Sequence, residues 1–240
     1  IHVQDGILSS DVKKFYDSYF KYKKNTLPFV TAKLAISKDF YTKNKKRRWI
    51  TNFFSRGRVH LMRSNHDCIL TGINTIMIDN PRLTCRISGL EDRSPCRIIL
   101  DKDLKIPISS NIVKTSKKFR TIIFYNKNNL KKIKLLKMLK VKLVKTPITN
   151  DGNFDLRKIL FYVKRLGFSR IFLESGLNLT VNFLNYELVD EFQLFISNDN
   201  LGSKGRNSFK KHMNLFLTNK KYSNEKVNLF GDKLISYRLK

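Results

Sequence analysis

The 240-residue chain predicts an α/β fold with a mostly parallel central sheet of about eight strands flanked by helices. Two observations predict it. Strand-length apolar runs alternate with segments whose apolar residues recur every three or four positions. Two of the runs, ending at Gly72 and at Glu174, lead straight into a helix start, as parallel strands joined by crossover helices require.

The elements follow in order. Val12, Phe15, Tyr16, Tyr19 and Phe20 repeat at helical spacing with Lys between them, and Asp11 or Ser10 is placed to cap that helix. A turn is expected around residues 25–28 and is the one clear boundary candidate. Residues 1–24 therefore read as an appendage and residues 25–240 as one domain. Residues 29–36 predict a strand with Lys33 in its middle, and residues 43–48 a basic loop. Thr51 is placed to cap a helix over 52–63. A strand over 67–71 leads to a short helix near Asn74, ended by the turn residues Asp79, Asn80 and Pro81.

Residues 97–100, 121–125 and 141–144 predict strands, and the basic, amphipathic stretch 130–139 a surface helix. Leu156, Ile159, Leu160, Val163 and Leu166 mark one face of a helix with Asp155 as cap and Gly167 as stop. A strand over 170–173 runs through Glu174, Ser175 and Gly176 into a helix ending near Leu184. Residues 191–196, 215–218 and 234–238 supply the last strands.

Composition excludes several classes. A hydrophobic fraction of 41% with 18 Phe and 9 Tyr fills a core and excludes a disordered basic tail. No apolar run approaches the roughly 20 residues needed to cross a bilayer, and no basic-then-apolar leader opens the chain. The first residue is not Met, so a downstream piece of something longer is expected. Cys68, Cys85 and Cys96 are too few and too far apart for a disulfide framework or a metal knuckle, so reduced thiols and a cytoplasmic location are expected, with no bound metal.

The formal net charge is +29. Its lysines are spread along the chain rather than gathered into Arg-rich stripes with interleaved aromatics. Compositional bias explains the charge, and no specific nucleic-acid partner is expected. Such a field also helps to collect a phosphorylated substrate.

Three constellations could carry chemistry. The first is strand, then Glu174 to Thr180, then helix. Gly176 admits close backbone approach and the helix start offers free N–H groups to a phosphate, although a glycine at a tight turn also serves plain packing. The second runs from Gly72 to Arg86. It offers Thr75, Asp79 one helical turn later, and Arg86, or it is simply a capped helix and an Asx turn. The third joins Trp49 to Arg63, with Lys33 in an apolar strand pointing either to solvent or into a site. There is no GxxxxGK[ST], GxSxG, HExxH or zinc-deaminase signature. The four His lack zinc-ligand spacing, and His66 beside Asp67 reads as structural.

Taken together, these segments resemble the reductase half of the bacterial bifunctional riboflavin-biosynthesis deaminase/reductase. The pieces are residues 28–37 (PFVTAKLAIS), Trp49-Ile50-Thr51, Val59 to Arg63, Gly72 to Thr75 and Asp79 to Arg86. Arg97 to Asp101, Glu174 to Gly176, Leu188 to Glu191 and Leu201-Gly202 complete them. Their order and spacing carry the resemblance, from about Pro28 to the C-terminus. It implies a dihydrofolate-reductase-like fold. It also implies NADPH-dependent reduction of 5-amino-6-(5-phosphoribosylamino)uracil to 5-amino-6-(5-phosphoribitylamino)uracil, by hydride transfer to ribose C1.

The resemblance implies cofactor contacts at Ala35, Trp49, Thr75, Asp79 and the segment Gly176, Leu177, Asn178, Leu179, Thr180, Val181 and Asn182. It implies substrate contacts at Arg47, Arg63, Leu83, Arg86 and Glu174, and catalytic proton delivery by Asp79 or Lys33. It further implies a homodimer, and a zinc deaminase domain upstream, fused or separate, joined through residues 1–24. The family carries a Ser where this chain has Arg47, and a small hydroxyl residue where it has Lys102. These departures motivate the alternative of a degenerate reductase-fold domain that binds a nucleotide or partner without turnover.

Overall fold

The computed structural model describes residues 2–24 and 27–240. The expected turn at Asn25 and the capping side chains Ser10 and Asp11 lie outside what is described. In chain order the elements are α1 (Ser9–Lys24), β1 (Phe29–Ile36), β2 (Tyr41–Asn44), α2 (Phe53–Ser64), β3 (Cys68–Gly72), α3 (Ile73–Asp79) and β4 (Cys96–Leu100). Then come α4 (Asn111–Lys114), β5 (Thr121–Tyr125), α5 (Leu130–Met138), β6 (Lys142–Lys145), α6 (Leu156–Arg165), β7 (Arg170–Glu174) and α7 (Leu177–Asn185). The chain closes with β8 (Glu191–Ile196), β9 (Gly205–Ser208), α8 (Lys210–Leu217), β10 (Tyr222–Asn224) and β11 (Lys233–Arg238).

The expected α/β architecture with a mostly parallel central sheet is what the chain adopts. Nine strands form that sheet, in the order β10-β11-β8-β1-β7-β3-β4-β5-β6, and β2 pairs with β9 in a separate ribbon. β8 to β6 run parallel across the middle, while β11 joins β8 antiparallel and β10 joins β11 antiparallel.

Alternation along the strands divides the core into two faces. Val30, Ala32, Leu34 and Ile36 of β1 and Ile171 and Leu173 of β7 pack with α6, α7 and α8. Ile69, Ile99, Ile123 and Phe172 face the other way, onto α2, α3, α4 and α5. The right-handed crossover rule demands this division. Connections from β1, β3, β4 and β5 step towards β6, so their helices share one face. The connections through α6 and α7 step back, so those helices lie on the other.

Local chemistry sets the helix ends. Asp155 accepts from the Lys158 N–H at 3.1 Å as the cap of α6, and Gly167, at φ +90°, stops the chain after it. Between those limits α6 buries Leu156, Ile159, Leu160 and Val163, each contributing about 1.5–3 kcal/mol. The cap of α2 is Asn52, not Thr51: the Asn52 side chain accepts from the Ser55 N–H at 3.0 Å. Residues 215–218 are not a strand either. They end α8, where Phe209, Met213, Phe216 and Leu217 repeat at helical spacing against the core. α1 is fixed to the domain by ion pairs of Lys21 with Asp190 and of Asp17 with Arg238, each at 2.6 Å.

Candidate functional site

In an open parallel sheet a ligand crevice forms where neighbouring strands send their connections to opposite faces. Here those neighbours are β3 and β7. β3 ends at Gly72 and runs into α3 on one face, and β7 ends at Glu174 and runs into α7 on the other. A cleft of about 820 Å³ opens there. Gly72, Ile73, Asn74 and Thr75 line one side, and Gly176, Leu177, Asn178, Leu179 and Asn182 the other. Lys43, Lys102 and Arg157 bring cationic side chains to the same cleft.

Main chain dominates this part of the site. No side chain caps the start of α7, whose N-cap is Gly176 in extended conformation, so the first N–H groups of the helix remain free for an anion. A Cβ built on Gly176 would meet open space, which is the room a ligand needs to reach the backbone. Thr180 is fully buried and shares a 3.0 Å hydrogen bond with the Ser175 hydroxyl. It holds the turn from within, and Val181 lies off the cleft lining. These features fit the pyrophosphate and sugar of a dinucleotide.

The second part of the site is built from side chains on the α2 face. Lys33 of β1 and Glu174 of β7 are register partners on adjacent parallel strands. Each lies between residues that face the other core, so both point towards α2. Arg63, on the last turn of α2, meets Glu174 in a bidentate pair, Nε to Oε2 at 2.9 Å and Nη2 to Oε1 at 2.7 Å. Its Nη1 donates to the Thr84 carbonyl at 3.0 Å. Lys33 Nζ also sits over the Phe195 ring, 5.6 Å from its centroid.

The charges tune one another. Burial pushes the Glu174 carboxyl up, but the charge and hydrogen bonds of Arg63, with Lys33 and His60 adding, outweigh it and leave the group below its ordinary value. Burial lowers the Lys33 ammonium and Arg63 lowers it further, against the pull of Glu174. A lysine shifted that way gives up its proton more readily.

A loop without regular structure joins the two parts. Asn80 and Leu83 adopt φ +40° and +54°, a left-handed conformation disfavoured for a leucine. Neighbouring elements hold this loop. The Asn111 amide donates to the Asn80 carbonyl at 2.7 Å, and buried Arg97 donates to the Arg82 carbonyl at 3.2 Å. The Cys85 N–H reaches Ser94 Oγ at 3.0 Å and the Arg86 N–H reaches His60 Nδ1 at 3.1 Å.

Of the expected residues, Thr75, Gly176, Leu177, Asn178, Leu179 and Asn182 come together along the cleft, and Lys33, Arg63 and Glu174 beside it. Leu83 is buried in the α2-side core, and Arg86 is exposed at the end of the strained loop. Ala35, near the end of β1, packs against the same core. Asp79 ends α3 exposed, and its carbonyl accepts from Arg48. Trp49 and Arg47 line a smaller hollow of about 400 Å³ with Asp199 and Phe230. The Arg48 and Arg56 guanidinium groups lie over the Trp49 ring, 4.8 Å and 5.1 Å from its centroid, and Arg47 pairs loosely with Asp199 at 3.4 Å. His66 Nδ1 donates to the Met62 carbonyl, 2.6 Å away, and the ring lies tilted against Phe172. Burial lowers its pKa to about 4, and its place beneath α2 is structural. Sequence reading did not single out His60. Its one signal was a spacing of three from Arg63, which places both on one side of a helix.

A model of the RibD C-terminal domain family matches residues 28–230. The chain belongs to that family. Among individual RibD riboflavin-biosynthesis proteins, that of Aquifex aeolicus is 31% identical over 199 residues, covering 82% of this chain and 54% of its own length. That of Actinobacillus pleuropneumoniae is 27% identical over 206 residues, covering 85% and 54%. The chain thus spans about half the length of the RibD proteins it matches. Two solved structures share the fold. Acinetobacter baumannii RibD superposes with a TM-score of 0.80 at 20% identity, over 98% of this chain and 64% of that one. The Saccharomyces cerevisiae riboflavin biosynthesis reductase Rib7 superposes with a TM-score of 0.67 at 21% identity, over 96% of this chain and 100% of that one. Gly72–Thr75, Gly176–Asn182, Arg63, Arg86 and Glu174 all fall inside the RibD C-terminal domain match.

Proposed function

We propose that this RibD C-terminal domain reduces 5-amino-6-(5-phosphoribosylamino)uracil to its ribityl counterpart, with NADPH as reductant. One observation carries the reading. A dinucleotide-sized cleft with free helix N–H groups lies directly against a Lys33–Glu174–Arg63 cluster, because Glu174 ends the strand whose next turn begins the cleft. Family membership supports it, and so does the likeness in fold to the yeast riboflavin biosynthesis reductase Rib7.

When bound, NADPH supplies the hydride. The α7 start and Gly176 would hold its pyrophosphate, and Leu177, Asn178, Leu179, Asn182 and Thr75 would line the rest of its cleft. Thr180 keeps the turn in place through Ser175, while Val181, Ala35, Trp49 and Asp79 lie off the cleft lining and would reach the cofactor only at its margins. On the substrate side Arg86 takes the ribose phosphate, Leu83 fixes that loop, and Arg47 adds positive charge at the rim. Arg63 keeps Glu174 ionised and aligned. Glu174 in turn accepts from the ribose or pyrimidine donors. Of the two residues expected to deliver the proton, Lys33 is the better supported. Its ammonium is lowered and lies beside Glu174, whereas Asp79 is exposed at the end of α3.

The chemistry balances on the ring-opened imine. Carbon C1 gains the hydride, the C=N π pair moves to nitrogen, and that nitrogen takes the proton from Lys33, which solvent restores. The same reading makes the chain a cytoplasmic homodimer with a zinc deaminase domain upstream, fused or separate; the Thermotoga maritima protein of similar fold is named as both deaminase and reductase. Among the described residues no helix is long and apolar enough to cross a membrane. The deciding experiment is loss of NADPH absorbance on addition of the phosphorylated pyrimidine. Turnover that Lys33→Met abolishes supports the proposal. NADPH binding without turnover in the wild type overturns it in favour of a binding domain.

A further inference from the structure

The loop that carries Arg86 has no secondary structure of its own, so something else must aim it. Arg86 is exposed. Its backbone N–H is held, donating to His60 Nδ1 at 3.1 Å. His60 stands one turn before Arg63 on α2, and Arg63 holds the Thr84 carbonyl at 3.0 Å. Two residues of one rigid helix thus grip the loop at positions 84 and 86.

We infer that His60 is a positioning residue of the substrate site: its neutral imidazole, accepting at Nδ1, fixes the Arg86 main chain and thereby aims the Arg86 guanidinium at a phosphate. The inference rests on the reading of Arg86 as the phosphate arginine. A ring that accepts at Nδ1 keeps its proton on Nε2 and carries no charge. The surroundings enforce that state. Burial, then Arg63 and Arg86, push the His60 pKa down to about 4, against Glu174 and the Thr84 carbonyl. A charged imidazole would lose the acceptor and add a third cation beside two arginines. The left-handed Leu83 three residues earlier gives the clamp its purpose, since strained backbone persists only where its neighbours over-determine it.

The test compares His60→Asn, whose amide oxygen replaces Nδ1, with His60→Gln, which places its oxygen at the Nε2 position, and with His60→Leu. The probes are the phosphorylated pyrimidine in turnover and ribose 5-phosphate in calorimetric binding. His60→Leu should raise KM, and weaken ribose 5-phosphate, about tenfold with kcat changed less than about twofold. His60→Asn should restore most of that loss and His60→Gln should not. In an Arg86→Ala background His60→Leu should cost nothing further, because the aimed group is gone. If His60→Leu does not fold, the Asn and Gln pair still decides. Equal behaviour of Asn and Gln, or a loss that multiplies with Arg86→Ala, overturns the inference. Arg86-dependent binding of ribose 5-phosphate by a chain without turnover would sink the reductase reading while leaving the His60 comparison to be scored. Absence of both binding and turnover sinks both.

Discussion

The two parts of the site are made of different material. Along the cleft, the first N–H groups of α7 are capped by no side chain and Gly176 leaves open space in front of them. Beside it, the α2 face places Arg63, Glu174, Lys33 and His60 in one mutually dependent cluster. Main-chain N–H groups belong to every residue but proline, so the first wall constrains sequence only where a side chain would intrude or a proline would remove a donor. The second wall depends on residue identity, because a bidentate arginine–carboxylate pair has no substitute of similar geometry. The backbone-built wall should therefore fail gently and independently of fold. The side-chain wall should fail steeply, taking stability with it where its charges are buried.

The steepest failure expected is Arg63→Ala. Arg63 is 8% exposed, and its loss removes both of its hydrogen bonds to the Glu174 carboxylate, leaving Lys33 as the cation beside it on the neighbouring strand. Breaking a buried pair from one side costs about 3–5 kcal/mol, so the urea midpoint should fall and activity with it. Double replacement, Arg63→Met with Glu174→Gln, should recover much of the stability and none of the activity. A midpoint unmoved in Arg63→Ala would show the pair to be solvated and the contrast between the walls to be false.

Next in size is Arg86→Ala. The side chain is exposed, so stability should stay within about 0.5 kcal/mol. A charge-assisted contact to phosphate is worth about 1.5–3 kcal/mol, so substrate KM should rise between about tenfold and a hundredfold. NADPH affinity should hold. Equal losses of substrate and cofactor would move Arg86 out of the substrate site.

The same contrast explains what could be read in the sequence. β1, β3, β4, β5, β7 and β8 are legible because each is an apolar run of strand length. β2, β9 and β10 are not, since Tyr41–Asn44, Gly205–Ser208 and Tyr222–Asn224 are mostly polar and lie at the surface, where no burial pattern is imposed. Residues 215–218 mislead because a short apolar run fits strand and helix alike; only Phe209 and Met213, further back, reveal the helical period. Thr51 and Asn52 are both competent caps, and the choice falls to Asn52, whose own N–H is held by Asp232 at 2.8 Å. In the site, glycines and arginines announce themselves by type. That Arg63 spends its guanidinium on Glu174, 111 residues away, follows from β7 inserting between β1 and β3, which no local pattern records. His60 stayed hidden because its partner is a main-chain N–H 26 residues on.

The backbone wall is tested by Gly176→Ala. Its φ of −70° and ψ of 169° suit alanine, and the new methyl meets open space. Stability should change by less than about 1 kcal/mol, as the poorer N-cap offsets the stiffer unfolded chain. NADPH affinity, read by protein fluorescence, should fall about tenfold, since the methyl occupies the approach to the helix N–H groups. Substrate-side behaviour, including binding of ribose 5-phosphate, should be untouched. Unchanged NADPH affinity would show that the dinucleotide does not run along α7.

The smallest expected effect separates the walls by pH. An unfolded imidazole titrates near 6.5, and folded His60 near 4. Between those values the unfolded chain holds a proton that the folded chain refuses. Stability therefore falls as pH drops from about 6.5 to about 4, and this group adds no slope outside that window. The ring is half-buried, so solvent screening reduces its share to about 1 kcal/mol. His66, with the same direction of shift, contributes equally to wild type and variants and cancels. Urea unfolding at pH 7 and pH 5 should show His60→Asn losing about 1 kcal/mol less than wild type, while Gly176→Ala keeps the full wild-type loss. If all three lose the same amount, His60 is not held neutral by Arg63 and Arg86, and the side-chain wall is less tightly coupled than its distances imply.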